Sequence, residues 1–169
     1  MRTKRVGVDN GRLSYFGGHY RHVAHRLVDI GLGADTERIS GHIELLVGPS
    51  FAPTRGLGAG RPPHFTALDM LVCGAQLAQA LLYHLDGIDR SRSENLWMRS
   101  VELHMPSPIE YVCGRALLLD VTLERTRVIP RRDGTWRTAE LCGATPAQSS
   151  FAIRAALAHR IPNREETRV

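Results

Sequence analysis

Hydrophobic and polar residues alternate with a period of two in the first part of the chain. Over residues 38–47, one set of alternate positions holds Ile39, Gly41, Ile43, Leu45 and Val47, and the other holds Ser40, His42, Glu44 and Leu46. This alternation is typical of a β-strand with one buried face. Residues 20–33 alternate more loosely, with many β-branched side chains, and they predict a strand that precedes it.

A loop and a long helix follow. Residues 48–63 are rich in proline and glycine, which neither a helix nor a central strand tolerates. Thr66 is the predicted N-cap of the helix, because Asp69 three residues later completes a capping box, and Gly87 is the predicted end. Apolar residues cover nearly the whole circumference of this helix, so we expect it to be buried on most sides.

The second half of the chain predicts strands joined by turns. A polar connection is expected over residues 89–100, and Asp133-Gly134 is expected at the tip of a hairpin turn over 131–134. The predicted strands cover residues 101–105, 111–128, 135–142 and 149–158.

This order of elements predicts an α+β protein without βαβ alternation. An antiparallel sheet of five or six strands that wraps around one long central hydrophobic helix buries that helix, and this arrangement is the hot-dog fold. We expect residues 1–169 to form a single domain, with residues 1–19 as an N-terminal arm and 160–169 as a C-terminal tail. A second copy would close the sheet edge and the open side of the helix, so a homodimer is expected.

Composition supports one globular domain outside the membrane. The chain has 169 residues, of which 43% are hydrophobic and 23% charged. The longest apolar run, residues 67–85, is interrupted by Asp69, Gln76, Gln79 and His84, which a membrane span would rarely tolerate. The first residues are basic but lead into Asp9 and a glycine turn, so no secretory signal is predicted. We therefore expect a soluble cytoplasmic protein.

The positive charge does not by itself indicate nucleic-acid binding. The formal net charge is +5, and all but one of the 22 basic residues are arginines scattered along the chain. Only residues 125–137 approach the clustering of basic residues that a polyanion groove requires, so nucleic acid is an unlikely partner. The three cysteines lie far apart in apolar surroundings and predict reduced thiols.

A polar stripe on the apolar helix is the main candidate for chemistry. Asp69, Gln76 and Tyr83 are seven residues apart and lie on one side of the helix, with Cys73 between them. A buried carboxylate needs a hydrogen-bonding partner or a chemical role. Two interpretations of Asp69 stay open: it completes the capping box, or it is an acid/base group at the mouth of a tunnel for an acyl chain.

His64 lies just before the helix and is a candidate second proton carrier. A histidine exchanges protons near neutral pH, and a carboxyl with a raised pKa complements it. The start of the helix would supply backbone N–H groups to a carbonyl oxygen on which negative charge develops. The alternative for His64 is a solvent-facing loop residue.

Other polar and aromatic residues have competing interpretations. His19, His22 and His25 suggest a metal, but on a strand His22 points away from the other two, so no metal is expected. Trp97 is either a packing residue or a stacking surface. Arg99 is either a solvated charge or a partner for an anion such as a phosphopantetheine phosphate.

Three stretches of the chain resemble the avirulence D (AvrD) family. Members of that family direct the synthesis of lipid-like signalling molecules from β-ketoacyl thioesters and a sugar. The stretches that carry the resemblance are Arg12-Leu-Ser-Tyr-Phe-Gly-Gly-His-Tyr-Arg-His-Val23, the helix from Leu68 to Tyr83, and Asp89-Arg-Ser-Arg-Ser-Glu-Asn-Leu-Trp-Met-Arg99. The resemblance implies chemistry on acyl thioesters in specialised metabolism.

A weaker likeness is to polyketide synthase dehydratase domains. Gly48-Pro-Ser-Phe51, followed by Leu68-Asp69 and then Gln76, is similar to the half of those domains that carries the catalytic acid. The glycine-containing segment that carries their catalytic histidine has no clear counterpart in this chain, which makes dehydration itself doubtful. Cyclisation or condensation remain open.

Together these observations predict a hot-dog-fold enzyme that acts on an acyl or β-ketoacyl thioester in specialised-metabolite biosynthesis, by dehydration, cyclisation or condensation. Asp69, His64 and Gln76 are the predicted catalytic residues. The predicted substrate-binding residues are Phe51, Cys73, Tyr83, Trp97 and Arg99. No cofactor is expected, because the substrate would arrive on the phosphopantetheine of an acyl carrier protein or of coenzyme A. The alternative is a non-catalytic acyl- or lipid-binding or regulatory hot-dog module.

Overall fold

The computed structural model describes residues 8–9, 12–13, 23–47, 64–88, 96–107, 109–110, 115–146 and 151–162. The predicted loop over residues 48–63 therefore lies outside the described residues. The helix is α1 (Ala67–Asp86). The strands are β1 (Val8–Asp9), β2 (Arg12–Leu13), β3 (Val23–Leu32), β4 (Arg38–Val47), β5 (His64–Phe65), β6 (Trp97–His104), β7 (Ile109–Glu110), β8 (Leu117–Arg131), β9 (Gly134–Ala144) and β10 (Ala152–Ile161).

The main sheet has six antiparallel strands in the order β3-β4-β8-β9-β10-β6. The chain leaves the sheet after β4, forms α1, and returns as β6 at the opposite edge. Two short pairs, β1 with β2 and β5 with β7, lie outside this sheet. Within the described residues, the predicted α+β class is confirmed, as are a large antiparallel sheet and one long helix.

The alternation predicted for β4 determines which face of the sheet carries the helix. Ile39, Ile43 and Leu45 are buried on one face of β4. Between them, Gly41 lets the helix approach closely, because a Cβ at this position would lie 3.1 Å from the Leu77 side chain. A Cβ at position 41 would require the Leu77 side chain to shift by a few tenths of an ångström.

One side of α1 packs against the sheet and forms the centre of the core. Leu77, Leu81 and Leu82 are completely buried there, and burying each contributes about 1.5–3 kcal/mol relative to exposure. The other side is more open than the sequence predicted, since Leu68 keeps 50% of its surface exposed and Gln76 is also exposed. The helix is thus buried mainly on the side facing the sheet.

Both helix ends form as predicted. Thr66 is the N-cap, and the reciprocal hydrogen bonds of a capping box join it to Asp69. Gly87 ends the helix in the left-handed conformation, with φ 63° and ψ 34°, and its N–H bonds to the carbonyl oxygens of the last turn. No helix in the described part of the chain is long and apolar enough to cross a bilayer.

The predicted start of β6 and the predicted tip of the hairpin were wrong, and β8, β9 and β10 each end two or three residues later than predicted. Residues 97–100 belong to β6 and not to a connection, because they pair with β10 across a register shift. The tip of the β8–β9 hairpin is Arg132 and Asp133, since Gly134 already pairs with Arg131. Gly134 has a φ of 128°, and a Cβ there would lie 2.6 Å from the Arg160 side chain, so this position requires glycine.

The capping box predicts a measurable contribution to stability. Replacing Thr66 by Ala removes the hydroxyl that accepts from the Asp69 N–H, and we expect the free energy of unfolding to fall by about 1 kcal/mol. Thr66→Ser keeps the hydroxyl and should retain most of that stability. Urea unfolding monitored by circular dichroism measures both variants. Equal stability of Thr66→Ala and Thr66→Ser would contradict the capping role.

Candidate active site and the surrounding polar clusters

Asp69 is a buried carboxylate at the start of α1. The Thr66 backbone N–H and hydroxyl both donate to Asp69 Oδ2, at 2.8 and 2.7 Å. The Asp69 N–H in turn donates to Thr66 Oγ1 at 3.2 Å. The residue is only 4% exposed. The capping box therefore occupies Oδ2, and the other carboxylate oxygen faces away from Thr66 toward β3.

His25 on β3 faces that second oxygen. Its Nδ1 lies 3.7 Å from Asp69 Oδ1, which is close but beyond hydrogen-bonding distance. This Nδ1 is buried and has no hydrogen-bond partner among the described residues, although the ring as a whole is partly exposed. An imidazole and a carboxyl at this separation can exchange a proton through a substrate group after a small movement.

Sequence analysis considered His25 only as a metal ligand. Because side chains alternate along a strand, His25 shares a face with Leu27, which packs against the core cluster. The alternation along β3 could therefore have shown that His25 faces the core. It could not have identified Asp69 as the neighbour of His25, because β3 and α1 are separated along the chain by β4 and by residues outside the described ranges.

We call the less buried side of α1, which carries Leu68, Val72, Gln76, Gln79 and Ala80, the open side of α1. The predicted polar stripe lies only partly on this side, because Asp69 faces His25 of β3 and the Tyr83 ring lies beside His159 of β10. Asp69 and Tyr83 are buried at its two ends, while Gln76 between them is exposed. Fourteen residues separate Asp69 from Tyr83, which corresponds to about 21 Å along the helix. These two residues therefore cannot contact the same small group.

Cys73, Tyr83 and His64 have different surroundings. Cys73 is completely buried, and burial together with the nearby Asp69 carboxylate raises the pKa of its thiol to about 12. The thiol therefore stays protonated at neutral pH. The Tyr83 hydroxyl accepts a hydrogen bond from Gln79 Nε2 at 2.7 Å. His64 is half-buried on β5, where it pairs with Glu110 of β7. Phe51 lies outside the described residues.

A second buried polar cluster closes the other end of α1. Asp86, the last helical residue, receives two hydrogen bonds from the Arg137 guanidinium, from Nε at 2.7 Å and from Nη2 at 2.5 Å. His159 Nε2 lies 2.9 Å from Asp86 Oδ2, without the alignment of a well-formed hydrogen bond. The His159 ring also lies 5.6 Å from the Tyr83 ring, measured between centroids.

The positive groups around Asp86 compensate for its unfavourable position at the end of the helix. An acidic residue at a helix C-terminus is unfavourable because it adds to the negative end of the helix dipole. Burial would raise the pKa of Asp86, but the adjacent His159 imidazole and the hydrogen bonds from Arg137 outweigh this effect, and the pKa is lowered. Sequence analysis missed this cluster, since Asp86, Arg137 and His159 come from three separate elements and form no motif.

Two cavities differ in what they can hold. The gap between α1 and strands β6 and β8–β10 has a volume of about 20 Å³, which is room for roughly one water molecule. This gap does not hold an acyl chain, so the expected tunnel does not run there. A groove of about 680 Å³ lies instead on the outer face of the sheet, and it brings together the predicted residues Trp97 and Arg99.

The fold and its polar clusters define an α+β protein in which one helix carries a carboxylate–imidazole pair at its start. The model of the family described as Pseudomonas avirulence D protein (AvrD) matches residues 8–162. This match covers nearly the whole chain, and the chain belongs to that family. Membership suggests a role in the production of specialised metabolites. No curated protein is significantly similar to the chain.

The Asp86 cluster predicts a large stability effect. Asp86→Asn leaves Arg137 and His159 without their buried counter-charge, and we expect a loss of about 3–5 kcal/mol in the free energy of unfolding. The matched control is Glu140→Gln, which breaks an exposed 3.6 Å ion pair with Arg125 and should cost at most about 1 kcal/mol.

The same cluster predicts a pH dependence. Because the folded pKa of Asp86 is lowered, its contribution is fully present above the unfolded pKa of about 3.9 and is lost as the pH falls through the folded value. The stability gap between wild type and Asp86→Asn should therefore narrow as the pH falls below about 4. Urea unfolding from pH 7 to pH 3 measures the gap, and a constant gap would contradict this assignment.

Proposed function

We propose that this protein is a hot-dog-fold enzyme of specialised-metabolite biosynthesis that acts on an acyl or β-ketoacyl thioester. The observation that carries the proposal is the buried Asp69 carboxylate, whose Oδ1 lies 3.7 Å from His25 Nδ1 at the N-terminus of α1. Family membership and the packing of α1 against an antiparallel sheet support it.

In this proposal Asp69 and His25 act as an acid/base pair. The hydrogen bonds from Thr66 fix the orientation of the carboxylate, so that Oδ1 stays directed toward His25 and the substrate. The imidazole takes a proton from the substrate and the Asp69 carboxyl gives one to a substrate oxygen, as in the loss of water. The proton then passes from the imidazolium to the carboxylate, 3.7 Å away, which restores both groups. His64, on β5 just before the helix, remains a candidate for a second proton carrier.

The substrate would lie along the open side of α1. Leu68, which is 50% exposed, and Val72 offer apolar surface for an acyl chain beside Asp69. Gln76 lies two turns beyond Asp69 and is exposed, so its amide is available to orient a carbonyl group. The thioester would arrive on the phosphopantetheine of an acyl carrier protein or of coenzyme A.

One observation favours a second candidate function. The capping box alone explains why Asp69 is buried, so the residue needs no catalytic role. In that case the protein is a non-catalytic acyl-binding or regulatory module, and the open side of α1 binds a chain without converting it. Thioesters would then bind and be recovered unchanged.

The acid/base role is tested by a matched pair of variants. Asp69→Asn and His25→Asn should each lower turnover of β-ketoacyl-coenzyme A or β-ketoacyl-pantetheine by about 100-fold or more, because each removes a proton-transfer group. Product formation is followed by mass spectrometry. Circular dichroism verifies that each variant is folded.

His42 and Asp29 supply the control. Their Nδ1 and Oδ2 atoms are also 3.7 Å apart, but Asp29 is exposed on the surface. Asp29→Asn and His42→Asn should leave turnover unchanged. Wild-type turnover in a folded Asp69→Asn variant would overturn the assignment of Asp69, and bound thioester without any turnover by the wild type would favour the binding module.

We also propose a homodimer in which the second copy covers the edge strand β3 and closes over the open side of α1, so that the acyl chain would lie between the two copies. Apolar residues are exposed on both, with Leu68 at 50%, Ile30 at 52% and Leu32 at 43%. Analytical ultracentrifugation should give twice the mass of the chain. The double variant Ile30→Glu and Leu68→Glu should sediment as a monomer, and a wild-type monomer at micromolar concentration would contradict this interface.

A further inference from the structure

The groove on the outer face of the sheet is shaped by small residues between large ones. Ala156 and Ala158 of β10 form its floor. One row across the strands runs from Trp97 of β6 through Ala158 and Thr138 to Arg127 of β8, as the register places these residues side by side. Leu157 between the two alanines is buried in the core below. The volume of about 680 Å³ is typical of small-molecule sites.

The walls of the groove carry an excess of positive charge. Four arginines line it, Arg99, Arg125, Arg127 and Arg131, against two carboxylates, Asp133 and Glu140. The formal charge of the lining is therefore 4 − 2 = +2.

Most of this positive charge is not neutralised within the groove. Arg125 pairs with Glu140 at 3.6 Å, but Arg99, Arg127 and Arg131 have no carboxylate partner within the described part of the chain. Guanidinium groups bind phosphate oxygens through paired hydrogen bonds, and Arg127 and Arg131 lie on the same face of β8. The charge of the groove thus favours a phosphorylated ligand.

Both tryptophans of the chain also line this groove. Trp97 is 59% exposed, which leaves a large apolar ring in contact with solvent. Trp136 is held from the side, since its indole N–H donates to Asp133 Oδ1 at 3.2 Å. Flat aromatic rings beside arginines bind planar ring systems by stacking. The combination therefore favours a ligand with a planar base as well as phosphates.

The groove is separate from the proposed acid/base pair. Arg137, between the groove residues Trp136 and Thr138, points to the other face of the sheet and binds Asp86 at the C-terminal end of α1. Asp69 is seventeen residues earlier on the helix, or about 25 Å away along its axis. A small ligand in the groove does not reach Asp69.

We propose that this groove is a binding site for a nucleotide that carries at least two phosphates. Arg127 and Arg131, on the same face of β8, bind the phosphates, and the base stacks on Trp97 or Trp136. The limited volume and the modest charge of +2 favour a small nucleotide over a nucleic-acid strand, which would need a longer basic track. This site is independent of the thioester chemistry proposed above.

Tryptophan fluorescence of the full chain reports directly on the groove, because both fluorophores line it. Titration with ADP should give a saturable change in emission. Adenosine, which lacks phosphates, and inorganic pyrophosphate, which lacks the base, should each bind at least tenfold more weakly than ADP. Absence of a saturable change with ADP at millimolar concentration would overturn the proposal.

Three variants locate the binding. The double variant Arg127→Gln and Arg131→Gln should weaken ADP binding at least tenfold, and Ala156→Phe should abolish it by filling the floor without changing the charge. The matched control is Arg132→Gln, since Arg132 is an exposed neighbour that does not line the groove. An equal loss of affinity in Arg132→Gln would show non-specific attraction and overturn the site.

A single-stranded RNA oligonucleotide provides the remaining comparison. Tight binding of RNA with a steep salt dependence, together with no ADP binding, would replace the nucleotide site by a nucleic-acid surface and overturn the proposal. ADP binding that survives in the Asp69→Asn variant would support the independence of the two sites. These outcomes differ from the failure of the thioester assay, so the two proposals can be judged separately.

Discussion

The packing of α1 against one face of the antiparallel sheet is the constraint on which the rest of the structure depends. Leu77, Leu81 and Leu82 have no exposed surface, and Gly41 permits the close approach of the helix. Since this contact fixes the rotation of the helix about its axis, it also determines which residues face away from the sheet. Of the polar stripe of α1, Gln76 is exposed on that open side, whereas Asp69 and Tyr83 are buried at its two ends beside His25 and His159.

The two ends of α1 satisfy their polar groups in different ways. At the N-terminus, Thr66 and Asp69 bond to each other, and one carboxylate oxygen is left facing His25. At the C-terminus, Asp86 is held by Arg137 and His159 from two adjacent strands. At the C-terminal end, Arg137 and His159 together engage both carboxylate oxygens of Asp86, so this cluster holds the end of the helix in place. The arrangement at the N-terminus leaves an oxygen and a ring nitrogen in proximity, which is the feature that supports acid/base chemistry.

Local patterns predicted much of the fold. The alternation in β4, the capping box at Thr66 and the glycine stop at Gly87 are each set by neighbouring residues, and each formed as predicted. The start of β6 was missed because Trp97 to Ser100 are exposed, with no alternation between buried and exposed positions to indicate a strand. Their strand conformation comes from pairing with β10, a long-range contact that local sequence does not encode.

The candidate site was predicted less completely than the fold, because it also depends on contacts between residues far apart in the sequence. Asp69 could be identified from helical spacing, but His25 and the Arg137–His159 pair meet their partners only through the sheet topology. The structure brings Trp97 and Arg99 together in the outer groove, whereas sequence analysis expected them to share a substrate site with Asp69. Family membership is consistent with a biosynthetic role but does not assign either region a ligand.

The most direct test of the acid/base site is a crystal structure with a non-hydrolysable β-ketoacyl-pantetheine thioether. The account predicts that the ligand carbonyl lies within hydrogen-bonding distance of Asp69 or His25, with the acyl chain along Leu68 and Val72. A ligand bound elsewhere, with the open side of α1 empty, would contradict it.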